Sequence, residues 1–550
     1  LRDGLTTRAQ LEAFVARLRL GEAAFADEAS EGRSKSLGVS LSYGFANAFN
    51  ETERKQLALL HFFQGFVNVD VLRTMGHPQS DWCLPELRGL TRAHGIALLD
   101  RAAEVGLLTA HGDGTYSIHP ALPWYFKSLF VQYYGMIKDE GGGMKDEEKP
   151  IHPSSLILHP SPTRAFVGAL GELGDYYHNE YGAGNREVIG ALTAEEANLL
   201  HARQLARANG WWGAVTSTMQ GLQQLYGHTG RRAEWARLVH EIVPDFVHPQ
   251  TDGPLVGREG LWDFITHYRV QLAREARQWT EAERLQRVRV DWNRQRAASE
   301  LSASREALDG AGRNAIRSLA VSLHELGDIQ RELGQRECVA AYEEAADLLH
   351  RIGDQPAEAV TAFNLGHAYK NIPALRDLAQ AERWYRRALE LEDPRDNMSR
   401  AKDLGQLGLV AYERFQEARD AKQPAAELLR QLNDALQFYL QALDLLPPNA
   451  VNDLAVTHNA LGAIYDEADD LDRALQHYRE AIRYAELTGD LYRAGTRRFN
   501  VALVLRDAGR FADAREYALA ALRNYETYGE READMIERTK RLLARIESRM

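Results

Sequence analysis

Histidine, cysteine and carboxylate side chains are plentiful enough for metal or acid–base chemistry, but their spacing assembles no known site. The 18 histidines are scattered. No G-x-S-x-G elbow, paired Cys–His context or H-E-x-x-H helix supplies a nucleophile with its base or a pair of metal ligands on one face. Cys83 and Cys338 are the two cysteines, too far apart in sequence for a disulfide framework or a zinc thiol pair, and such sparse thiol usage fits a reducing, cytoplasmic setting. His152-Pro153-Ser154 and its near-copy His159-Pro160-Ser161 lack the thiols or carboxylates that would make two imidazoles a metal site. Glu31-Gly32-Arg33-Ser34-Lys35-Ser36 has phosphate-binding residue types without the G-x-x-x-x-G-K-[ST] spacing or a preceding strand, and reads as a solvated loop. The chain is therefore expected to carry no catalytic residues, no metal and no cofactor of its own.

Charge narrows the partners. Lys and Arg number 66 against 78 Asp and Glu, a net charge of −12, which repels phosphate backbones unless a local patch reverses the sign. Arg284, Arg287, Arg289, Arg294 and Arg296 form such a stretch but alternate with Glu281, Glu283 and Asp291, the pattern of a solvated helix face with i,i+4 pairs. Nucleic acid is a poor default partner. No run of about 18 apolar residues would span a membrane, and no basic-then-apolar signal segment opens the chain.

The elements that would position a binding surface are helices. At 550 residues, 45% hydrophobic and 26% charged, the chain is too long for one core, and repeats are the first thing to seek. Gly141, Gly142 and Gly143 followed by the His-Pro-Ser elements mark a linker over 136–162, where neither helix nor sheet should persist. Before it, Asn50 and Glu53 form a capping box opening a helix through Leu57, Leu59, Leu60 and Phe63. Helices follow over Val69 to Met75 and Ile96 to Val105. Leu107-Leu108-Thr109, a turn at Gly112-Asp113-Gly114 and Tyr116-Ser117-Ile118-His119 then read as a hairpin, and Pro120 starts another helix. This order outlines a winged-helix domain over 37–135.

Beyond the linker the chain reads as helix after helix with a period of roughly 34 to 40 residues. In the best unit Tyr465, Ala474, Tyr478 and Ala481 stand at +3, +12, +16 and +19 from Gly462, the tetratricopeptide spacing, in which small residues let two helices approach and aromatics fill the gap to the next pair. The frame recurs as Gly366, Tyr369, Ala381, Tyr385 and Ala388; as Gly408, Ala435, Tyr439 and Ala442 across a long insertion; as Gly327, Cys338, Tyr342 and Ala345; and as Ala502, Leu505, Ala514, Ala518 and Ala521. Residues 311–550 thus read as tetratricopeptide repeats and 163–310 as degenerate helical repeats. The fold class is an all-α tetratricopeptide solenoid preceded by a small winged-helix domain with a hairpin wing.

In such an array the first helix of each pair lines the concave groove. Helical phase selects His324, Asp328, Arg331, Asn364, His367, Lys370, Asn459, Asp466, Asn500 and Arg506 as groove positions, where amides and cations can hold a peptide by its backbone and carboxylates. The bland alternative is that these are ordinary solvated positions.

The first region resembles the winged-helix segment of STAND-class (NB-ARC-type) signalling ATPases, a group that includes apoptotic-protease activators, plant resistance proteins and many bacterial regulators. Leu41-Ser42-Tyr43-Gly44-Phe45, the helix from Glu51 to Phe63, Ala97-Leu98-Leu99 with Gly106-Leu107-Leu108, and Tyr116-Ser117-Ile118-His119-Pro120 carry the resemblance. It implies that residues 1–36, with a helix over Leu1 to Leu20, end the helical lid, that the nucleotide-binding core with its ATP or ADP lies upstream, and that oligomerisation accompanies activation. It also implies that His119 matches the histidine that contacts the β-phosphate of ADP, although the context here is Ile-His-Pro rather than Met-His-Asp. The expected function is a non-catalytic sensor that binds a protein or peptide in the groove. The rivals are a winged-helix transcription regulator with inducer-binding repeats, disfavoured because Arg101 between His94 and Val105 faces Asp100 and Glu104, and a free-standing assembly scaffold.

Overall fold

The computed structural model describes residues 45, 48–120, 122–135 and 160–550. The expected lid helix, the loop at 31–36, residues 41–44 and most of the linker, with His152 and His159, lie outside the described residues. The chain divides into two compact units, the first running to Pro249 and taking in Pro254–Ile265, the second made of Gln250–Gly253 and Thr266–Met550.

The first unit opens with α1 (Glu51–Ala58), capped as the sequence predicts. The Asn50 side chain accepts from the Glu53 amide at 3.0 Å and the Glu53 carboxylate accepts from the Asn50 amide at 3.0 Å, satisfying two otherwise orphaned donors. The α-helix stops earlier than the apolar pattern suggests, and Leu59–Phe62 winds into a 3-10 turn that buries Leu59, Leu60 and Phe62 together. Next come α2 (Val69–Met75), α3 (Arg92–Glu104), and the hairpin of β2 (Leu108–Gly112) and β3 (Thr115–Ile118). Asp113 and Gly114 at the turn both have positive φ, which Gly adopts freely and Asp tolerates. A third strand, β1 (Phe66–Asn68), pairs antiparallel with β3 in the order β1-β3-β2. Helix α4 spans Pro123–Tyr134 rather than starting at Pro120, because a turn closed by the Leu122 amide on the His119 carbonyl at 2.8 Å intervenes. Pro123 then takes the first helical turn, where its missing N–H costs nothing.

Helix α5 (Pro160–Gly182) includes the last residues of the expected linker, since prolines at 160 and 162 are tolerated in a first turn. With α6 (Val188–Ala208), α7 (Trp212–Thr229) and α8 (Arg232–Phe246) it completes the helical part of the unit. Helices α5 and α7 cross backbone to backbone: a methyl on Gly174 would come within 2.5 Å of the Ser217 carbonyl oxygen, and one on Gly221 within 3.0 Å of the Gly174 Cα. The strand region docks on these helices. The Gln64 amide donates to Asn198 Oδ1 at 2.7 Å, Asn198 Nδ2 donates to the Phe66 carbonyl at 2.9 Å, and the Trp82 ring covers Gly168.

The division between units passes through α9 (Glu259–Glu275). In the second unit α10 (Trp279–Arg296) leads into five helical hairpins. They are α11 (Gly310–Glu332) with α12 (Cys338–Ile352), α13 (Gln355–Asn371) with α14 (Leu378–Leu391), α15 (Asn397–Asp420) with α16 (Ala425–Leu445), α17 (Val451–Glu467) with α18 (Leu471–Leu487), and α19 (Leu491–Asp507) with α20 (Phe511–Glu526). Helix α21 (Ala533–Glu547) closes the array, burying Leu542, Leu543 and Ile546. In four hairpins the predicted glycine meets the predicted tyrosine. A methyl on Gly327, Gly366, Gly408 or Gly462 would come within 2.7, 2.6, 2.8 or 2.8 Å of the ring of Tyr342, Tyr385, Tyr439 or Tyr478. In the fifth, Ala502, Ala514, Ala518 and Ala521 are fully buried instead. Burying each such aromatic contributes about 1.5–3 kcal/mol. The unit is an all-α array of tetratricopeptide type. The long insertion after Gly408 is helical: its Glu-, Ala-, Arg- and Gln-rich sequence extends α15 and lengthens α16.

Candidate ligand-binding face

In four hairpins the first helix turns its glycine toward the second, and the flank beside that contact is half-buried. On α11 that flank carries half-buried His324, Asp328 and Arg331, and on α13 half-buried Asn364 and His367 with buried Lys370. Four of these form one network. Arg331 donates to Asn364 Oδ1 at 2.9 Å, and Asn364 Nδ2 donates to His324 Nε2 at 3.2 Å and to Asp328 Oδ1 at 3.4 Å. Asp328 also accepts from the Tyr342 hydroxyl at 2.6 Å and stands 3.9 Å from Arg274 of α9. The Thr361 hydroxyl donates to the Ala357 carbonyl at 2.9 Å, so its oxygen is left to accept from His324 Nδ1 at 3.0 Å. This pattern holds His324 neutral, with its proton on Nδ1 and Nε2 as acceptor. Burial pushes its pKa below the ordinary value, against the pull of Asp328 and Glu325.

Below this network, burial alone would raise the Glu325 carboxyl, but the hydrogen bond from His267 and the charge of Arg289 hold it down at about 2. His267 lies 3.3 Å from Glu325, and Arg289 donates directly to it. An ion pair this well buried and partnered fixes the floor of the face rather than inviting a ligand.

The remaining predicted positions do not join the network. His367 accepts the Tyr385 hydroxyl contact at 3.0 Å, and burial with the charges of Lys370 and Arg331 lowers it to about 4. Lys370 is buried, its Nζ donating to Gln406 Oε1 on α15 at 2.8 Å, and burial lowers its pKa. It is therefore a strut between first helices, not the exposed cation that its phase suggested. Arg506 donates to its neighbour Asp507 at 2.7 Å. Asn459 and Asn500 are half-buried, and Asn459 Oδ1 is buried without a hydrogen-bond partner among the described residues. Asp466 is exposed.

Sequence phase missed Arg274, Thr361 and Gln406, whose roles depend on contacts between helices one repeat apart. It also missed Asp403, which is 2% exposed with Oδ2 unpartnered, and whose carboxyl is pushed up to about 8 by burial and then by Glu392 and Asp396. An Asp at a position held by Ser322, Thr361 and Thr457 in neighbouring repeats was the available signal.

Elsewhere, His119 is exposed just after β3. The cations of α3 are neutralised: Arg92 lies 3.2 Å from Asp70, and Arg101 donates to Glu53. On α10, Arg284 pairs with Glu281 and Asp252, Arg287 with Glu283, and Arg294 with Glu344. A cavity of about 650 Å³ lies on the second-helix side, between α12 and α14, away from the polar network. Among its charged lining residues Arg387 and His350 pair with Glu358 and Arg386 with Glu382. Among the described residues no cluster of three or more His, Cys, Asp or Glu could hold a metal, and no helix is long and apolar enough to cross a membrane.

No family model matches the chain. A stretch of 52 residues, 9% of the chain, is 50% identical to the photosystem I assembly protein Ycf3 of Synechococcus elongatus, and a second Synechococcus strain gives the same figures. The chain spans 30% of the length of these relatives. Among solved structures, the STAND protein with a tetratricopeptide repeat sensor, PH0952 from Pyrococcus horikoshii, is 13% identical over 98% of this chain and 72% of that one, with a TM-score of 0.42. BtubC from P. vanneervenii is 17% identical over 44% of this chain and 92% of that one, at 0.35. A Rap protein complexed with Competence and Sporulation Factor is 13% identical over 69% of this chain and 100% of that one, at 0.34. At these scores the likenesses assign neither a family nor a ligand to the chain.

Proposed function

We propose that the chain is a non-catalytic sensor and protein-interaction module that captures a protein or peptide on the face formed by the first helices of its repeats, as part of a STAND-type signalling ATPase. The observation that carries this reading is the polar network of His324, Asp328, Arg331 and Asn364. It crosses from one repeat to the next on a half-buried surface, where donors and acceptors can exchange internal partners for a peptide backbone or carboxylate. The helices and hairpin of residues 51–134 act in this reading as a winged-helix relay. His119, exposed beside the hairpin, would meet the ADP phosphate of a nucleotide-binding core. ATP and ADP belong to that core, and the chain works in the cytoplasm and assembles into oligomers on activation.

Peptides selected on the full chain from a random phage-displayed library test the face. They are expected to lose affinity at least about tenfold to the Asn364→Ala variant, the scale of a hydrogen bond lost in a polar network, with the thermal midpoint of the chain little changed. The chain alone should release no phosphate from ATP. Selected peptides that are all indifferent to Asn364 and Arg331 would remove the assignment.

A further inference from the structure

The first-helix face changes character along the array. Over α11 and α13 it is a polar lattice, whereas over α15, α17 and α19 its middle row is Leu409, Ala463 and Leu503, all half-buried, with Val456 54% exposed at one edge. In the same zone α15 carries Gly405. A methyl there would meet nothing within 4 Å, in contrast to Gly408 one turn later, which is pressed against Tyr439. A mid-helix glycine costs roughly 0.5–1 kcal/mol relative to alanine, and no internal neighbour requires this one. Its effect is to leave a flat, bare patch beside the apolar row.

Acidic side chains gather at the C-terminal ends of two of these first helices. Asp466, Glu467 and Asp469 stand at the end of α17 and Asp507 at the end of α19. Arg419 answers Glu467 at 2.6 Å and Arg506 answers Asp507. No ion pair among the described residues reaches Asp466 or Asp469. Burial and then the charges of Glu467, Asp507 and Asp469 raise the Asp466 carboxyl above its ordinary value, so a cation delivered there would relieve a repulsion the chain does not relieve itself.

We propose that this half of the face takes an amphipathic basic peptide segment, its apolar side chains on Leu409, Ala463 and Leu503 across bare Gly405 and a Lys or Arg on Asp466. The assignment rests on the reading of the first-helix face as the binding surface and adds the partner's chemistry. Electrostatic complementarity at such acidic helix ends selects partners and registers them, while the apolar row supplies contact area.

The test uses the full chain and three fluorescein-labelled synthetic peptides: paired Leu and Lys, the same with Glu for Lys, and the same with Ser for Leu. The Leu/Lys peptide is expected to bind at least about tenfold tighter than either of the others, and more weakly at high salt. Gly405→Gln, which fills the bare patch, and Asp466→Asn should each lower its affinity, Gly405→Gln without lowering the thermal midpoint. Asp472→Asn on the exposed side of α18 removes the same charge and should leave binding unchanged. Equal loss in Asp466→Asn and Asp472→Asn, or no binding of the Leu/Lys peptide, would overturn the proposal. Preference for the Leu/Glu peptide, abolished by Gly405→Gln, would keep the face as the binding surface and overturn the partner's charge. Self-association of the chain that Gly405→Gln abolishes would seat a second copy there and overturn the peptide.

Discussion

The two units solve one problem, bringing helices close, with different partners for their glycines. In the second unit Gly327, Gly366, Gly408 and Gly462 each receive a tyrosine ring, whereas in the first Gly174 and Gly221 receive backbone. A ring can shift by a few tenths of an ångström, and a carbonyl in a helix cannot. The units also treat a buried acid differently. Among the described residues each has one carboxylate oxygen without a hydrogen-bond partner, but Glu195 of α6 accepts on its other oxygen from Asn198 Nδ2 at 2.7 Å and is raised to about 7 by its burial, while Asp403 of α15 is raised to about 8 by burial and then by Glu392 and Asp396. The contrast shows why tetratricopeptide spacing is legible in one unit and absent in the other: the signature is the aromatic, and backbone contact writes none.

The sharpest break is Gly174→Ala. Its methyl meets the Ser217 carbonyl at 2.5 Å, so a loss of about 3 kcal/mol or more is expected, read as a lower urea midpoint of the first unit. Trimming Ser217 should not rescue it, because the obstacle is main chain. Gly408→Ala should cost less, about 1–3 kcal/mol, and Tyr439→Leu in the same chain should recover part of it by opening the contact. Gly405→Ala, in the same helix with open space around it, should instead gain about 0.5–1 kcal/mol. Equal losses at Gly174 and Gly408, each unmoved by trimming its partner, would erase the distinction between backbone and ring contacts.

Asp403→Asn tests the second contrast through pH. Because the folded carboxyl titrates near 8 instead of the ordinary 3.8, the native state holds a proton that the unfolded chain releases. The wild type is therefore not penalised below pH 3.8, loses stability progressively as pH rises toward 8, and changes no further above it. The Asn variant should be more stable by about 1–3 kcal/mol at pH 8, the scale of an unpaired buried polar group, with the gain fading toward pH 4. Glu195→Gln, which already has an amide partner, should gain less. Thermal midpoints across the pH range decide it.

Much of the second unit was readable because a glycine or alanine and a tyrosine recur at offsets that only a helical hairpin brings together. The capping box at Asn50 and the hairpin turn at Asp113 were readable for the same reason, since both are local. Strand β1 was not: Phe66-Val67-Asn68 is too short to show alternation, and its pairing with β3 spans about fifty residues of intervening chain. The division through α9 leaves no composition change in the sequence. On the candidate face, phase singled out His324, Asp328, Arg331 and Asn364, which hydrogen-bond to one another. It could not say that Lys370 is held by Gln406, or that Arg506 is occupied by Asp507, because occupancy is set by the neighbouring repeat or by rotamer, not by phase.

In the second unit each helix packs mainly on those next to it in sequence, α11 on α12, α12 on α13 and so on to α21. Such contacts close short loops, so the search for native pairing is brief and folding is expected to be fast for a chain of this size. Any hairpin with its tyrosine seated can serve as the nucleus from which order spreads both ways. During synthesis the α11–α12 hairpin can fold while α19 is still untranslated, and the growing end offers each new helix a finished surface to dock on.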